Sequence, residues 1–100
     1  MTPFTLRAID IIKSIPTGKV MCYGQIATEA GNPRSARQVA RLLHSMSTKY
    51  SLPWHRVINS SGAISLKGEG YSRQRHLLEK EGICFEEDGT IDLEIYLYYP

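Results

Sequence analysis

A short turn between two helical patterns constrains the fold of this chain more than any other feature. Residues 25–30 suit a short helix, and Gly31 suits the position that ends one, because glycine adopts a left-handed backbone without strain. Asn32 and Pro33 follow directly, a capping residue and a residue favoured at the first position of a helix. We therefore expect a second helix over residues 33–46. Two helices joined by so short a glycine-containing turn predict a helix-turn-helix.

The second predicted helix has one apolar face and one basic face. At about 100° per residue, its apolar side chains fall together, and its arginines cluster within about 60° of one another on the other side. The apolar set is Val39, Leu42, Leu43 and Met46, and the basic set is Arg34, Arg37 and Arg41. The helix can bury the first face and present three guanidinium groups on the second.

Charge is unevenly distributed along a chain whose formal net charge is only +2. Between Ala30 and Gly68 there is no Asp or Glu, although six Lys and Arg residues fall in that stretch. Seven of the ten acidic residues lie between Glu79 and Glu94. One face can thus be strongly basic, as phosphate binding requires, while the molecule stays nearly neutral. The acidic segment is interpreted as a solvated face in preference to a docking surface.

Length and composition predict the broad class of protein. One hundred residues, 42% of them hydrophobic, suit a single domain over residues 1–100. There is no long apolar run and no signal-peptide pattern, so we expect no membrane insertion and a cytoplasmic location. Cys22 and Cys84 are far apart and belong to no Cys/His cluster, which predicts neither a metal nor a disulfide. We expect a monomer without a cofactor.

Helical patterns also occur at both ends of the chain. A capping threonine and a proline open an amphipathic pattern that ends near Ile15. Residues 72–81 predict a last helix closed by Gly82. The polar residues 47–52 and the glycine-rich residues 67–71 are predicted to be loops, the second of them mobile.

Short extended segments complete the prediction. Residues 19–22 should be extended, and residues 56–58 and 63–65 flank a four-residue loop typical of a hairpin. Residues 83–85 and 91–93 flank the turn pair Asp88-Gly89 in the same manner. We therefore expect two short β-hairpins beside the helices.

Five separate motifs occur in order between Ile15 and Gly82, about two thirds of the chain. They are Ile15-Pro16-Thr17-Gly18-Lys19-Val20, Tyr23-Gly24-Gln25-Ile26-Ala27, Gly31-Asn32-Pro33-Arg34-Ser35-Ala36-Arg37, Pro53-Trp54-His55-Arg56-Val57 and Leu77-Leu78-x-x-Glu81-Gly82. Together they resemble the DNA repair alkyltransferases, which move an alkyl group from the six-oxygen of damaged guanine onto a cysteine in a Pro-Cys-His-Arg setting. Trp54 stands where that family has the cysteine. The chain thus resembles the non-catalytic branch, the alkyltransferase-like proteins.

Trp54 cannot replace the thiolate as a nucleophile, since its indole nitrogen only donates a hydrogen bond and its ring fills the space of the thiol. We therefore expect no enzymatic activity. The resemblance implies a mainly α fold, a small winged-helix-like DNA-binding domain that contains the helix-turn-helix and the short β-hairpins. It also implies that the protein binds O6-alkylguanine in double-stranded DNA, flips the damaged base into a pocket and hands it to nucleotide excision repair proteins.

The residues expected to contact DNA follow from the resemblance. Arg37 matches the arginine that family members insert into the base stack, and Tyr23 matches the tyrosine that crowds the phosphate of the flipped nucleotide. Arg34 and Arg41 share the basic face with Arg37 and are predicted to contact DNA with it. Without the motif, a solvated arginine and a core tyrosine would be the favoured interpretation.

The lesion pocket is predicted to contain Tyr23, Trp54, Val57 and Lys67. Trp54 offers a stacking surface worth about 1–3 kcal/mol per base and an apolar wall that favours an alkyl group over bare guanine. Lys67 can bring a cation to the flipped base, and a solvated loop lysine is an equal alternative. His55 and Glu81 match the family's proton relay, which without a thiol is expected to be a structural remnant.

The chain departs from the alkyltransferases at two further places. Met46 stands where they have a hinge asparagine, and a methionine cannot make the side-chain hydrogen bonds of that hinge. Lys67-Gly68-Glu69-Gly70 replaces their Tyr-Ser-Gly-Gly loop. The hinge and the pocket lid should therefore differ.

Two other functions fit parts of the sequence. An active transferase would have to use Cys22 or Cys84, and neither lies in the motif that sets up the chemistry. A helix-turn-helix transcription regulator would need amide side chains on the second helix to read base edges, where Gln38 stands alone. Both are kept as alternatives to lesion sensing.

Overall fold

A computed structural model describes all 100 residues, and most of its regular structure is helical. The helices are α1 (Pro3–Ser14), α2 (Tyr23–Glu29), α3 (Ala36–Tyr50), α4 (Glu69–Lys80) and α5 (Leu93–Tyr96). Two strands of two residues each, β1 (Met21–Cys22) and β2 (Val57–Ile58), accompany them, and a 3₁₀ turn spans Trp54–Arg56. The mainly α architecture predicted from the sequence is confirmed. None of the helices combines the length and the apolar character needed to cross a bilayer.

The first helix forms where the sequence predicts it. Thr2 caps its N-terminus, since the Thr2 Oγ1 accepts a hydrogen bond from the Thr5 backbone N–H at 3.1 Å. The helix ends before Pro16, as is usual because proline disfavours helical geometry in the residue that precedes it. Ala8, Ile9 and Ile12 are buried, so the helical spacing of apolar residues identifies the face that packs.

The helix-turn-helix is present, with α3 beginning later than expected. Gly31 adopts a positive φ of 103° after α2, as predicted for the residue that ends that helix. Asn32 does not cap α3, because its Oδ1 accepts from the Arg34 N–H at 3.1 Å and closes a local turn. The prediction that Pro33 opens the helix was therefore wrong, and α3 begins at Ala36.

The C-terminal end of α3 also differs from the prediction. The helix continues to Tyr50 and ends where Ser51 adopts a left-handed φ of 52°. Residues 47–50 were expected to be a loop because they are polar. The Ser47 hydroxyl, however, donates to the Leu43 carbonyl within the helix, and Tyr50 packs against the core. Met46, at the position of the family's hinge asparagine, also packs against the core.

Both predicted hairpins are wrong, although their turns exist. The Asn59 Oδ1 accepts from the N–H groups of Ser61 and Ala63 at 2.9 and 3.0 Å, which folds the first turn, but residues 63–65 form no strand. The second turn is closed by the Glu86 N–H and the Thr90 carbonyl, 2.7 Å apart, again without strands on either side. Turn residues act locally, whereas the choice of strand partner depends on packing across the chain.

The strand partners come instead from distant parts of the sequence. β1 and β2 are parallel, with Met21 opposite Val57 and Cys22 opposite Ile58. The tail, for which no structure was predicted, runs beside them after α5. Val20 forms an isolated parallel bridge with Leu97. These short strands tie the N-terminal helices to the second half of the chain.

The last long helix begins three residues earlier than predicted. α4 starts at Glu69, so only the first part of the glycine-rich segment is a loop. Gly68 turns the chain into the helix with a φ of 62°, and the Ser72 N–H donates to its carbonyl at 3.1 Å. At the other end α4 stops at Lys80, and Gly82 has a φ of 92°.

Two hydrophobic clusters lie on opposite sides of the strand pair. The first cluster is formed by α1, α2 and α3 and includes Met21 and Val57. The second cluster includes Val20 and Ile58 and is completed by Ile64, Leu78, Ile83 and Ile91. Successive strand residues therefore point to opposite clusters, as the two-residue period of a strand requires.

Candidate nucleic-acid interface

A cavity of about 860 Å³ opens between the start of α2, the length of α3, the 3₁₀ turn and α4. Its volume falls within the range of ligand-binding pockets. Apolar and polar side chains both line it, and its walls contain no Asp or Glu. The lining residues used below are Tyr23, Arg37, His44, Trp54, Arg73 and Gln74.

Three of the residues predicted from the sequence meet in this cavity. Tyr23 comes from the first turn of α2, Arg37 from the first turn of α3, and Trp54 from the 3₁₀ turn. Arg37 is exposed and forms no salt bridge. Burial raises the pKa of the Tyr23 phenol, an effect that the Ser65 hydroxyl partly offsets. Tyr23 is therefore a neutral hydroxyl at physiological pH, able to donate or accept a hydrogen bond.

Trp54 is held in place through both its backbone and its ring. Its backbone N–H donates to the Leu52 carbonyl at 2.8 Å, and its ring packs against the first cluster. The ring meets that of His55 edge on, with centroids 6.1 Å apart and planes at 83°. The indole is a half-buried, fixed wall of the cavity.

Val57 and Lys67, the other predicted pocket residues, do not line the cavity. The Val57 side chain is fully buried in the first cluster, because its strand position points it away from the cavity. Its assignment as a pocket wall was wrong. Lys67 is exposed on the loop before α4, and its neighbour Leu66 lines the cavity instead. The structure thus favours the solvated-lysine interpretation of Lys67.

Arg34 and Arg41 are exposed outside the cavity, and neither forms a salt bridge. Arg34 lies in the turn before α3. Arg41 lies one turn beyond Arg37, where it lines a smaller groove of about 260 Å³ between α3 and the start of α1. Contact of these two arginines with DNA stays a prediction.

The predicted pairing of His55 with Glu81 is present behind the cavity wall. His55 Nε2 lies 2.6 Å from Glu81 Oε2. The same carboxylate accepts from Arg56 Nη2 at 2.8 Å and Arg56 Nε at 3.0 Å, and from the Gly18 N–H at 2.9 Å. Arg56 also donates to the Ile15 carbonyl at 2.9 Å, which connects the end of α1 to the end of α4.

Arg56 was not assigned a role from the sequence, yet it is the centre of this network. Partial burial opposes ionisation of Glu81, but the hydrogen bonds from Arg56, Gly18 and His55 together outweigh it and lower its pKa to about 2. Glu81 is therefore ionised throughout the physiological range. Three segments of the chain converge on one carboxylate.

The sequence analysis missed three polar residues of the cavity wall, namely His44, Arg73 and Gln74. Gln74 is only 2% exposed, and its Nε2 donates to the carbonyls of His55 and Val57 at 3.0 and 2.9 Å. One signal was available in the sequence, since Gln74 precedes the buried Leu78 by four residues and so shares its helical face. The cavity brings together two guanidinium groups and an imidazole.

Neither cysteine lines the cavity. Cys22 is buried in β1, where its Sγ lies 3.4 Å from the Asn59 carbonyl oxygen, and burial raises the pKa of its thiol. Cys84 is exposed beyond the end of α4. A thiol needs a lowered pKa and access to substrate to act as a nucleophile, which removes the support for a transferase that uses Cys22.

Comparison with known proteins agrees with this geometry. The family model described as the DNA-binding domain of 6-O-methylguanine DNA methyltransferase matches residues 3–83. The chain is 46% identical to the DNA base-flipping protein of Vibrio parahaemolyticus over the full length of both. It is 42% identical to alkyltransferase-like protein 1 of Schizosaccharomyces pombe, with 100% of this chain and 98% of that protein covered.

Two solved structures extend the comparison. The crystal structure of the S. pombe protein in complex with damaged DNA containing O6-carboxymethylguanine matches with a TM-score of 0.85 and 38% identity, covering 100% of this chain and 98% of that one. The O6-methylguanine methyltransferase of Mycobacterium tuberculosis in complex with DNA matches with a TM-score of 0.64 and 34% identity, covering 81% and 50%. The resemblance inferred from the sequence motifs is confirmed. The chain belongs to the family of the 6-O-methylguanine DNA methyltransferase DNA-binding domain and, within it, to the alkyltransferase-like proteins.

Proposed function

We propose that this protein is a non-enzymatic sensor of O6-alkylguanine in double-stranded DNA. The observation that carries the proposal is Trp54, an indole at the cavity wall where the family's motif has its reactive cysteine. No thiol lines the cavity to replace that cysteine. A flipped base can be bound there, but no side chain is available to take its alkyl group.

The cavity has the parts needed to present a base. Extruding a nucleotide costs a few kcal/mol, less for a poorly paired, damaged base, and the gap in the stack must be filled. Arg37 is an exposed guanidinium at the cavity, and guanidinium planes stack on bases. Tyr23 provides a bulky ring at the start of α2 that can crowd the backbone of the rotated nucleotide. The base-flipping relative from V. parahaemolyticus supports this assignment.

Trp54 then selects the lesion. Base–aromatic stacking contributes about 1–3 kcal/mol per base. An alkyl group on the six-oxygen adds apolar area that the ring can cover, worth about 25 cal/mol per Å². Larger alkyl groups should bind at least as well as methyl, and the volume of the cavity leaves room for them.

A sensor that leaves the lesion in place requires another activity to remove it. We propose that nucleotide excision repair proteins take over the bound lesion, which rests on the resemblance alone. A single domain, a monomeric state and a cytoplasmic location likewise stay predictions from the sequence.

The test compares matched duplexes that contain guanine, O6-methylguanine or a bulkier O6-alkylguanine at one position. Affinity is measured at fixed salt, because phosphate contacts make binding strongly salt-dependent, and the intact mass of the protein is measured afterwards. We expect preference for both lesions and an unchanged mass. A mass increase equal to the alkyl group would establish a transferase, and preference for one undamaged sequence would favour a transcription regulator.

A further inference from the structure

Two lysines from different helices meet over one aromatic ring, outside the cavity. Lys13 lies in the last turn of α1, and Lys49 lies in the last turn of α3. Their Nζ atoms are 5.8 and 5.4 Å from the centroid of the Tyr50 ring. Both distances are within the range of cation–π attraction. The ring therefore restricts where the two ammonium groups can lie and keeps them near each other.

No carboxylate neutralises this lysine pair. The three salt bridges of the protein use Glu79 or Glu81, and Asp10, one turn before Lys13 on α1, takes part in none of them. Both lysines are exposed. A cation in the last turn of a helix is favoured by the helix dipole, but that accounts for each lysine alone and not for their convergence on one ring. Two exposed like charges without a counter-charge create a positive potential that attracts an anion.

Lys49 is also the end of a polar stripe along α3, formed by Arg41, Ser45 and Lys49. These residues are four apart, so they follow one another along one side of the helix, and all three are exposed. Arg41 and Ser45 line the groove of about 260 Å³ between α3 and the start of α1, whose lining contains no Asp or Glu. The stripe thus connects this groove to the lysine pair without an acidic residue.

The stripe and the cavity lie on opposite sides of Arg37. At about 100° per residue, the stripe residues follow Arg37 by about 40° to 120° around the helix. Ala40 and Leu43, which line the cavity, lie about 60° and 120° around the helix in the other direction. If Arg37 enters the base stack, one backbone of the duplex faces the cavity and the other faces the stripe. The flipped nucleotide belongs to the strand on the cavity side.

We propose that Lys13 and Lys49 bind a phosphate of the undamaged strand, which lies along the stripe. This inference rests on the proposed function, because the flipped base determines which strand faces the cavity. Each ammonium group offers three N–H donors to phosphate oxygens. From Arg37 to Lys49, α3 rises about 18 Å at about 1.5 Å per residue. At about 3.4 Å per phosphate of one strand, the bound phosphate lies within about six base pairs of the lesion.

This contact should hold the protein on the duplex without selecting the lesion. Phosphates carry no information about the base, so the contact strengthens binding to damaged and undamaged duplexes by the same factor. Its loss should make the slope of log affinity against log salt concentration shallower by about 0.9 per phosphate.

The experiment uses the full chain and a duplex with one O6-methylguanine, in which single phosphates of either strand are replaced by neutral methylphosphonates. The wild type should lose affinity at one or two positions of the undamaged strand within about six base pairs of the lesion. Lys13→Gln combined with Lys49→Gln should be insensitive at those positions, because the partner charges are absent. Lys19→Gln combined with Lys80→Gln removes two lysines outside the stripe and the cavity, and it should keep the wild-type pattern.

The pattern of sensitive phosphates separates a DNA contact from a structural role at the helix ends. If the Lys13 and Lys49 double variant keeps the wild-type pattern, the lysines bind no phosphate and the inference is overturned. A wild type that is sensitive only on the damaged strand overturns it without any variant. Both results leave the preference for O6-methylguanine over guanine intact. If the wild type lacks that preference, lesion sensing itself fails, and the assignment of strands fails with it.

Discussion

The rings of Trp54 and His55 meet edge on, with their centroids 6.1 Å apart. His55 still holds the carboxylate of Glu81 on its other side, with 2.6 Å between Nε2 and Oε2. The pair that the motif predicts is therefore in hydrogen-bonding contact, and His55 faces an indole, which is not a thiol that the pair could activate. We infer that the His55–Glu81 pair stabilises the fold, because Arg56 and Gly18 also donate hydrogen bonds to Glu81.

Because these contacts stabilise the ionised carboxylate, the free energy of unfolding depends on pH through Glu81. Its pKa is about 2 in the folded protein, below the usual value near 4.3 for glutamate. A lowered folded-state pKa contributes stability that is present above the unfolded-state value and is lost as pH falls toward 2. At 1.36 kcal/mol per pH unit the shift corresponds to about 3 kcal/mol, and solvent screening at this partly buried carboxylate reduces the contribution to about 1–3 kcal/mol.

We expect Glu81→Gln to lower the free energy of unfolding at pH 7 and to flatten its decline between pH 4.5 and pH 2. Urea denaturation at several pH values measures both. Glu79→Gln provides the control, since Glu79 lies two residues earlier, in the last turn of α4, with a side chain that is 51% exposed. Equal slopes for the wild type and Glu81→Gln would show that this carboxylate does not stabilise the fold.

Trp54→Ala should weaken binding of lesions more than binding of undamaged duplex. Loss of the stacking surface removes about 1–3 kcal/mol, and loss of the apolar wall adds to this in proportion to the size of the alkyl group. Affinity for O6-methylguanine and a bulkier O6-alkylguanine measures the effect, which should be larger for the bulkier one. Trp54→Phe keeps an aromatic ring and should retain most of the preference. A uniform loss for guanine and both lesions would assign Trp54 to the core alone.

Local patterns predicted four of the five helices, because their determinants lie within a few residues, although both ends of α3 and the start of α4 differ from the prediction. The spacing of Ala8 and Ile12 predicted part of the buried face of α1, to which the structure adds Ile9, and its first turn follows from Thr2. Strand pairing could not be predicted in this way, since Met21 and Val57 pair although they lie 36 residues apart in the sequence. The predicted turn at Asn59 is present, yet no hairpin follows it, because contacts between distant segments decide which strands pair.

The lining of the cavity was predictable where a motif specifies a side chain, as at Tyr23, Arg37 and Trp54. The motif failed at Val57, which contributes to the site through its carbonyl and not its side chain. Gln74 lies in none of the five motifs, and its place at the cavity wall depends on the hydrogen bonds from its amide nitrogen to the carbonyls of His55 and Val57. That property exists only once α4 and the 3₁₀ turn have packed together.

Arg37→Ala should reduce the preference for O6-methylguanine over guanine by about 1–2 kcal/mol, because a stacked guanidinium supports only the flipped state. Arg41→Ala is the matched control, one turn further along the same exposed face and outside the cavity. It should weaken binding to lesion-containing and undamaged duplexes alike. The slope of log affinity against log salt concentration should become shallower by about 0.9 per lost phosphate contact. If Arg41→Ala caused the more selective loss, the orientation of α3 on DNA would have to be reassigned.

Val57→Ala tests the corrected place of that residue. Removing two buried methyl groups from the first cluster should lower the free energy of unfolding by about 1–3 kcal/mol. The ratio of affinities for O6-methylguanine and guanine should not change, because the Val57 side chain does not line the cavity. Thermal unfolding and duplex binding measure the two effects separately. A loss of lesion preference at unchanged stability would restore Val57 to the pocket wall.

The charge of the cavity wall favours an anionic group on the lesion. Arg37, His44 and Arg73 line the cavity without any carboxylate, and Arg73 has no acidic partner. We expect O6-carboxymethylguanine to bind more tightly than its neutral carbamoylmethyl counterpart, which has nearly the same shape. An advantage of about 1 kcal/mol is reasonable for a partly exposed charge, and it should shrink as salt is added.

Arg73→Gln should remove most of this advantage while leaving the affinity for O6-methylguanine nearly unchanged. Arg75→Gln is the control, since Arg75 lies outside the cavity, stacks on Phe85 at 4.4 Å and pairs with Glu79. Titrations of both duplexes at two salt concentrations distinguish the possibilities. If Arg73→Gln weakened all duplexes equally, including undamaged DNA, Arg73 would be a phosphate contact at the mouth of the cavity. Selectivity for the anionic lesion would then have to come from Arg37, the other guanidinium group of the wall.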